Sequence, residues 1–389
     1  MSLHGRYGVF IMMVAALVLG LAFSSPVTAS AAESGKTGLD IAAESAVLLE
    51  PISGQVLYEK EPYKELPIAS ITKIMTMLLA AEALEEGRVK LEDMVVTSEY
   101  AAGMGGSQIY LAPQEEMSFR EILISVATGS ANDASVAIAE HIAGSEEAFV
   151  DMMNERAKEL GLKHTHYVNA NGLPAEGHYS CAYDQAVILR EALRYPVFRE
   201  VSKIKEYDLR GGEFKLWNTN KLLWWYAGTE SGKTGWTNEA KYCLASSVVR
   251  ENLRLIGVVL GVEEPKGHFR ESMKLYNWGF ARYEAVKLAE QGEAIKTLPV
   301  EKGVATDVKV VTAEEVTAVI PKGEKDEIEA SVELPESLLA PLEKGEAVGS
   351  YVVKHNGNEV IRVDIVTAES VPAASFLDQL LRVIERVCR

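Results

Sequence analysis

Pro67-Ile-Ala-Ser-Ile-Thr-Lys-Ile-Met75 is the stretch on which the reading of this chain turns. Ser70 opens a helix-like apolar run over 71–84 and Lys73 stands three positions on, so hydroxyl and amine project from one face. A free hydroxyl is a poor nucleophile until a base within hydrogen-bond reach takes its proton. Lys73 can be that base only when neutral, so its ordinary pKa of roughly 10.4 must be pulled down by burial or by a second cation. The plain alternative is an N-capping serine and a solvated lysine. Ile71, Ile74 and Met75 around the lysine speak against plain solvation.

Two more motifs follow in order, Ser130-Ala-Asn132 and Lys233-Thr-Gly235. Ser130 offers a hydroxyl to carry a proton to a leaving group, and Lys233 offers the second cation that keeps Lys73 neutral. Ser130 and Asn132 also suit the cap of a helix at 131–142. Each motif alone is weak. Three together, ordered and widely separated, are specific.

The longer phrases sharpen this: Thr128-Gly-Ser-Ala-Asn-Asp-Ala134, Asn171-Gly-Leu173 followed by Gly177-His-Tyr-Ser180, and Lys233-Thr-Gly-Trp-Thr-Asn-Glu-Ala240. With the first stretch they resemble the low-molecular-mass penicillin-binding proteins that act as D-alanyl-D-alanine carboxypeptidases, over roughly residues 38 to 370. The resemblance implies an α/β domain of the serine β-lactamase and transpeptidase type with an inserted helical cluster. A small all-β domain and a C-terminal amphipathic helix then follow. It implies Ser70, Lys73 and Ser130 as catalytic residues, and Asn132, Lys233, Thr234, Gly235 and Trp236 as substrate-binding ones. Ser70 and Trp236 would give the oxyanion-hole amides, with no metal and no cofactor. The implied partners are peptidoglycan stem peptides, with β-lactams as covalent inhibitors.

Three departures matter. Ala131 stands where relatives often carry glycine. Gly232 precedes the lysine where a bulky aliphatic residue is usual, which leaves open a looser start to that strand. An arginine that reads the substrate carboxylate in relatives is replaced by His268, with Arg270 two residues on. A β-lactamase, a D,D-endopeptidase and a silent cell-wall-binding protein are the alternatives. The first would need a glutamate in a Glu-x-x-Leu-Asn context, and the sequence has none between Asn132 and Lys233.

The rest of the chain supports an exported enzyme. Arg6, an apolar run over 9–23 and Ala29-Ser-Ala31 read as a signal peptide over 1–31, with an uncleaved anchor as the alternative. The formal net charge of −17 argues against nucleic acid as a partner. Cys181, Cys243 and Cys388 are too few for a disulfide framework, and Cys243 reads as a small buried apolar residue. His164 and His166 lack metal-ligand spacing elsewhere. A hairpin over 42–57, helices at 119–126, 146–160, 183–193 and 271–280, and antiparallel strands at 242–249 and 254–261 place the peptidase domain at 32–284. Short alternating strands fill 285–372. In 373–389, Phe376, Leu377, Leu380, Leu381, Ile384, Val387 and Cys388 share one helical face. That pattern suits in-plane attachment to the outer face of the cytoplasmic membrane, or alternatively packing on the β domain or a dimer contact.

Overall fold

The computed structural model describes residues 38–375 and Gln379. The signal segment read at 1–31, and almost all of the tail helix read at 373–389, lie outside those residues.

The chain enters as an antiparallel hairpin of β1 (Ser45–Leu49) and β2 (Val56–Lys60). Its turn is closed by the Glu50 carboxylate, which accepts from the amides of Ile52 and Ser53. Every residue of β1 is buried. Successive side chains of a strand point to opposite faces, so Val47 and Leu49 enter one core while Ala46 and Leu48 enter another. A 3₁₀ turn over 69–72 then leads into α1 (Lys73–Glu85), a helix buried on nearly every side, with apolar residues at most of its positions.

The inserted cluster follows: β3 (Met94–Val96), the one-turn α2 (Glu99–Ala102), β4 (Glu116–Ser118), α3 (Phe119–Gly129), α4 (Asn132–Ala143), α5 (Glu146–Glu159), α6 (Ala182–Ala192) and α7 (Pro196–Ser202). Serines set three of these starts. Ser98, Ser118 and Ser145 accept from the amides of Ala101, Glu121 and Ala148 at 2.9, 3.3 and 3.2 Å.

A small hairpin, β5 (Glu206–Leu209) with β6 (Phe214–Trp217), and the short α8 (Leu222–Trp225) precede the main strands. These are β7 (Thr229–Thr237), β8 (Lys241–Arg250) and β9 (Leu253–Val262). They join the first hairpin in one sheet of order β2-β1-β9-β8-β7, so both ends of the domain share a sheet and β7 is left at its edge. α9 (Gly267–Arg282) covers the face opposite α1. It begins four residues earlier than the sequence pattern suggests, because Lys266 takes a left-handed backbone (φ 63°) that starts the helix at Gly267.

The C-terminal part is all β. β10 (Tyr283–Ala289) pairs with β13 (Val316–Pro321). β11 (Ala294–Glu301), β12 (Asp307–Thr312), β14 (Ile328–Glu333), β15 (Leu338–Leu339), β16 (Ala347–His355) and β17 (Asn358–Thr367) form a six-stranded sheet. Leu298, Val308, Val310 and Ile365 fill its own small core. The Ala374 amide donates to Lys302 O at 2.7 Å and pins the chain there. Among the described residues no helix is long and apolar enough to cross a membrane.

Candidate active site

Ser70 lies in the 3₁₀ turn ahead of α1, and Lys73 opens that helix. The side chain of Lys73 is fully buried. Its Nζ reaches Ser70 Oγ at 2.9 Å, Asn132 Oδ1 at 2.7 Å and the carbonyl oxygen of Asn171 at 2.6 Å. Asn132 cannot turn its amide round, because its Nδ2 donates to Gly105 O at 2.7 Å, and a carbonyl can only accept. Lys73 therefore faces two oxygens that only accept and one hydroxyl that can do either. A neutral amine has two N–H groups and one lone pair. The carbonyls take the N–H groups, and the lone pair is left for the Ser70 proton.

The electrostatics favour that neutral form. Burial drives the Lys73 pKa well below the ordinary lysine value, and the charge of Lys233 lowers it further, against an opposing pull from Asp133. Burial thus outranks the second cation invoked from sequence. Lys233 is fully buried as well, and burial alone brings its pKa down to about 7. Its Nζ donates to Ser130 Oγ at 2.7 Å and to Thr234 O at 3.0 Å.

The chain is bent to bring these groups together. Ala69 and Ser130 both adopt positive φ, 48° and 60°, a conformation that costs non-glycine residues energy and is held only by firm surroundings. Gly172 provides part of that hold: a Cβ there would lie 2.0 Å from the Ala69 carbonyl oxygen. Gly235 lets β7 approach the Ser70 turn, since its Cβ would lie 2.5 Å from Ile68 O. Ser130 ends α3, and Ala131 is the N-cap of α4 without a side-chain cap bond. The capping alternative for Ser130 and Asn132 fails on that geometry, for both side chains point at lysines.

Gly232 does not loosen the strand. β7 runs through it, and a Cβ would meet Asn220 Nδ2 at 2.6 Å and Ser246 Cβ at 2.7 Å, so the position is tight and a bulky residue could not fit. The two carboxylate-reading candidates also separate. Arg270 is drawn away by Glu264 and Glu271, each 2.9 Å from it. His268 lines the cleft, but burial lowers its pKa to about 4, so it is neutral at pH 7.

The cleft has a volume of about 460 Å³, with Ser70, Ser130, Thr234, Gly235 and Trp236 in its lining. Lys221 and Lys266 line it too, as does Thr219, whose hydroxyl accepts from Thr234 Oγ1 at 2.8 Å. Sequence reasoning missed Thr219, Lys266 and the Asn171 carbonyl. The polar run Asn218-Thr-Asn220 was the available signal for the first. A backbone oxygen leaves none. It also missed Asp133, whose carboxylate accepts from the amides of Ile109 and Leu111 and so holds the loop whose Ser107 lines the cleft.

A family model described as D-alanyl-D-alanine carboxypeptidase matches residues 28–264, more than half of the chain. The chain belongs to that family. A second model, the C-terminal domain of penicillin-binding protein 5, matches residues 283–373. Among named relatives, D-alanyl-D-alanine carboxypeptidase DacF of Bacillus subtilis is 41% identical over 361 residues, covering 91% of this chain and 93% of that protein. Penicillin-binding protein 5 from Haemophilus influenzae superposes with a TM-score of 0.73 at 34% identity, covering 86% and 98% of the two chains. Penicillin-binding protein D2 from Listeria monocytogenes, solved with ampicillin bound, gives 0.57 at 29%, covering 62% and 99%.

Proposed function

We propose that this D-alanyl-D-alanine carboxypeptidase family member removes the terminal D-alanine of peptidoglycan stem peptides through an acyl-enzyme on Ser70. The observation that carries the reading is the buried Lys73 amine, held by two carbonyl oxygens that only accept and facing the Ser70 hydroxyl as its third partner. Ser70 Oγ attacks the penultimate D-alanyl carbonyl while its proton passes to Lys73 Nζ. The backbone amides of Ser70 and Trp236 receive the developing oxyanion. Ser130, held by Lys233, gives its hydroxyl proton to the departing amine and is reprotonated through the lysines. Terminal D-alanine leaves, and water then hydrolyses the ester with Lys73 again as base. A β-lactam follows the first half and stalls as the ester.

With His268 neutral and Arg270 tied up, charge for the substrate carboxylate comes from Lys221 and Lys266 in the lining and from Lys233 buried behind Ser130, with the Thr234 hydroxyl in the lining as a donor. The β-lactamase alternative finds no support: among the described residues no carboxylate hydrogen-bonds to Ser70 or Lys73.

Export and anchoring belong to the same proposal. The signal pattern at 1–31 takes the enzyme to the outer face of the cytoplasmic membrane, and the apolar stripe of the tail keeps it there. Mass spectrometry of a pentapeptide ending in D-Ala-D-Ala tests the activity. A product lighter by one alanine is expected from the wild type and not from Ser70→Ala. Intact pentapeptide after incubation with the wild type would overturn the reading.

A further inference from the structure

The wall of the cleft that carries Ser107 is an irregular loop, residues 103–115, between α2 and β4. Gly103, Gly105 and Gly106 make its first half pliable, and Tyr110 and Gln114 both stand at positive φ, 57° and 65°. Such a segment keeps one conformation only where its surroundings fix it. On one side α4 does so. The Asn132 amide donates to Ser107 O at 2.7 Å and the Asn132 side chain to Gly105 O at 2.7 Å. Asp133 accepts from the amides of Ile109 and Leu111 at 3.1 and 3.0 Å. The loop lies directly on the Asn132 amide, for a Cβ on Gly106 would come within 2.8 Å of Asn132 Nδ2.

The other side is held by a residue outside all the motifs. Arg210 stands in the turn that joins β5 to β6, itself at a positive φ of 51°. Its Nη1 donates to Ile109 O at 2.9 Å and its Nη2 to Tyr110 O at 3.3 Å. Nε and Nη2 also grip the Glu115 carboxylate, at 2.8 and 3.2 Å. The peptide groups around Tyr110 therefore lie between a carboxylate that takes their N–H groups and a guanidinium that serves their carbonyls. The hairpin has its own anchor, since Leu209 and Leu216 are buried in the main core. What the guanidinium holds is the loop.

We propose that Arg210 is a positioning residue for acylation: by clamping this loop against α4 it keeps Gly105 O on the Asn132 side-chain amide, and so keeps the Asn132 carbonyl turned to Lys73. The inference rests on the reading of Lys73 as the base for Ser70. Without the clamp the loop drifts, Gly105 O leaves Asn132 Nδ2, and the amide is free to turn over. An N–H then points at Lys73 Nζ and competes with the Ser70 proton for its lone pair. Small misplacements that start far from the reacting atoms cost large factors in rate. Lysine is no substitute, because one ammonium lacks the planar fork that reaches a carboxylate and two carbonyls together.

The test follows acylation of the full chain by a fluorescent penicillin, separating the first-order step from the binding before it, with urea unfolding alongside. Arg210→Ala is expected to slow the first-order step by about tenfold or more, with the binding step within about twofold of wild type. Arg210→Lys is expected to fall nearly as far. In an Asn132→Ala background the same Arg210→Ala change should cost less than about twofold, because the group it positions is gone. Arg362→Ala, which releases a similar grip on Glu333 and Glu359 in the β domain, should acylate like the wild type. Should Arg210→Ala fail to fold, Glu115→Gln frees one end of the clamp and enters the same cycle, with a smaller loss in the first-order step. A wild-type first-order rate in Arg210→Ala, a loss confined to binding, or a full return of the rate in Arg210→Lys would each overturn the assignment. So would an undiminished effect in the Asn132→Ala background or an equal loss in Arg362→Ala. A wild type that penicillin does not acylate would instead remove the reading of the cleft itself.

Discussion

Lys73 has three hydrogen-bond partners and, when neutral, two N–H groups to share among them. That shortage fixes the direction of proton flow, and it gives pH dependences of definite sign. Lys73 works neutral, so acylation slows as pH falls through its depressed pKa. Lys233 works charged, so reaction with carboxylate-bearing substrates slows as pH rises through about 7. Lys233→Ala should lose at least about a hundredfold in acylation rate. It should also move the acid limb to higher pH, because Lys73 loses a repelling neighbour. Stopped-flow with a fluorescent penicillin from pH 5 to 9 measures both, and an unmoved acid limb would refute the coupling. His178 and His268 report on stability. Each has its pKa lowered to about 4 in the folded chain against an ordinary 6.5, so the unfolded state binds protons first as pH falls. Folding free energy should decline between pH 6.5 and 4, by roughly 3 kcal/mol per histidine at full development. Urea midpoints at pH 7 and pH 4.5 check this, with a smaller decline expected for His178→Gln.

At the scale of elements, the site is a meeting of turns rather than of helices. Ala69, Ser130 and Gly172 all take positive φ where the Ser70 turn, the end of α3 and the Asn171 loop converge. Gly172→Ala should cut acylation more than tenfold, since its Cβ would strike the Ala69 carbonyl and displace either the nucleophile or the Lys73 acceptor. Thermal unfolding and acylation rate, measured together, separate this from simple unfolding, and wild-type acylation would contradict it. These turns also mark where the sequence stopped being legible. The Ser70, Ser130 and Lys233 motifs were readable because side-chain chemistry needs fixed residue types. The Asn171 carbonyl was not, because any residue carries one. The helices of the inserted cluster show apolar repeats at three and four, and β8 and β9 show as β-branched runs, whereas α7 and the β5–β6 hairpin are too short to display a pattern. The role of Gly232 was hidden because its neighbours, Asn220 and Ser246, are distant in sequence.

For the whole molecule, the β domain closes where Ala373 bridges Gly303 and Ala374 is buried. A protein stopped after Ser375 therefore retains every residue of the β sheet. It should keep its activity on soluble peptide and leave the membrane fraction. The apolar side chains of the tail are each worth roughly 1.5–3 kcal/mol if fully buried, so full-length protein should stay bound at high salt. Sedimentation of the shortened protein with membranes after signal removal would contradict anchoring by the tail, and unfolding would assign the tail to the β domain's core. The proposed export and anchoring would both serve one chemical event in the cleft.

That event is acylation of Ser70, and peptide mapping after exposure to penicillin tests it most directly. The wild type should gain one adduct, carried by the peptide that contains Ser70, and both Ser70→Ala and Lys73→Ala should gain none. An adduct that persists in Ser70→Ala, or one that maps to another residue, would contradict the account.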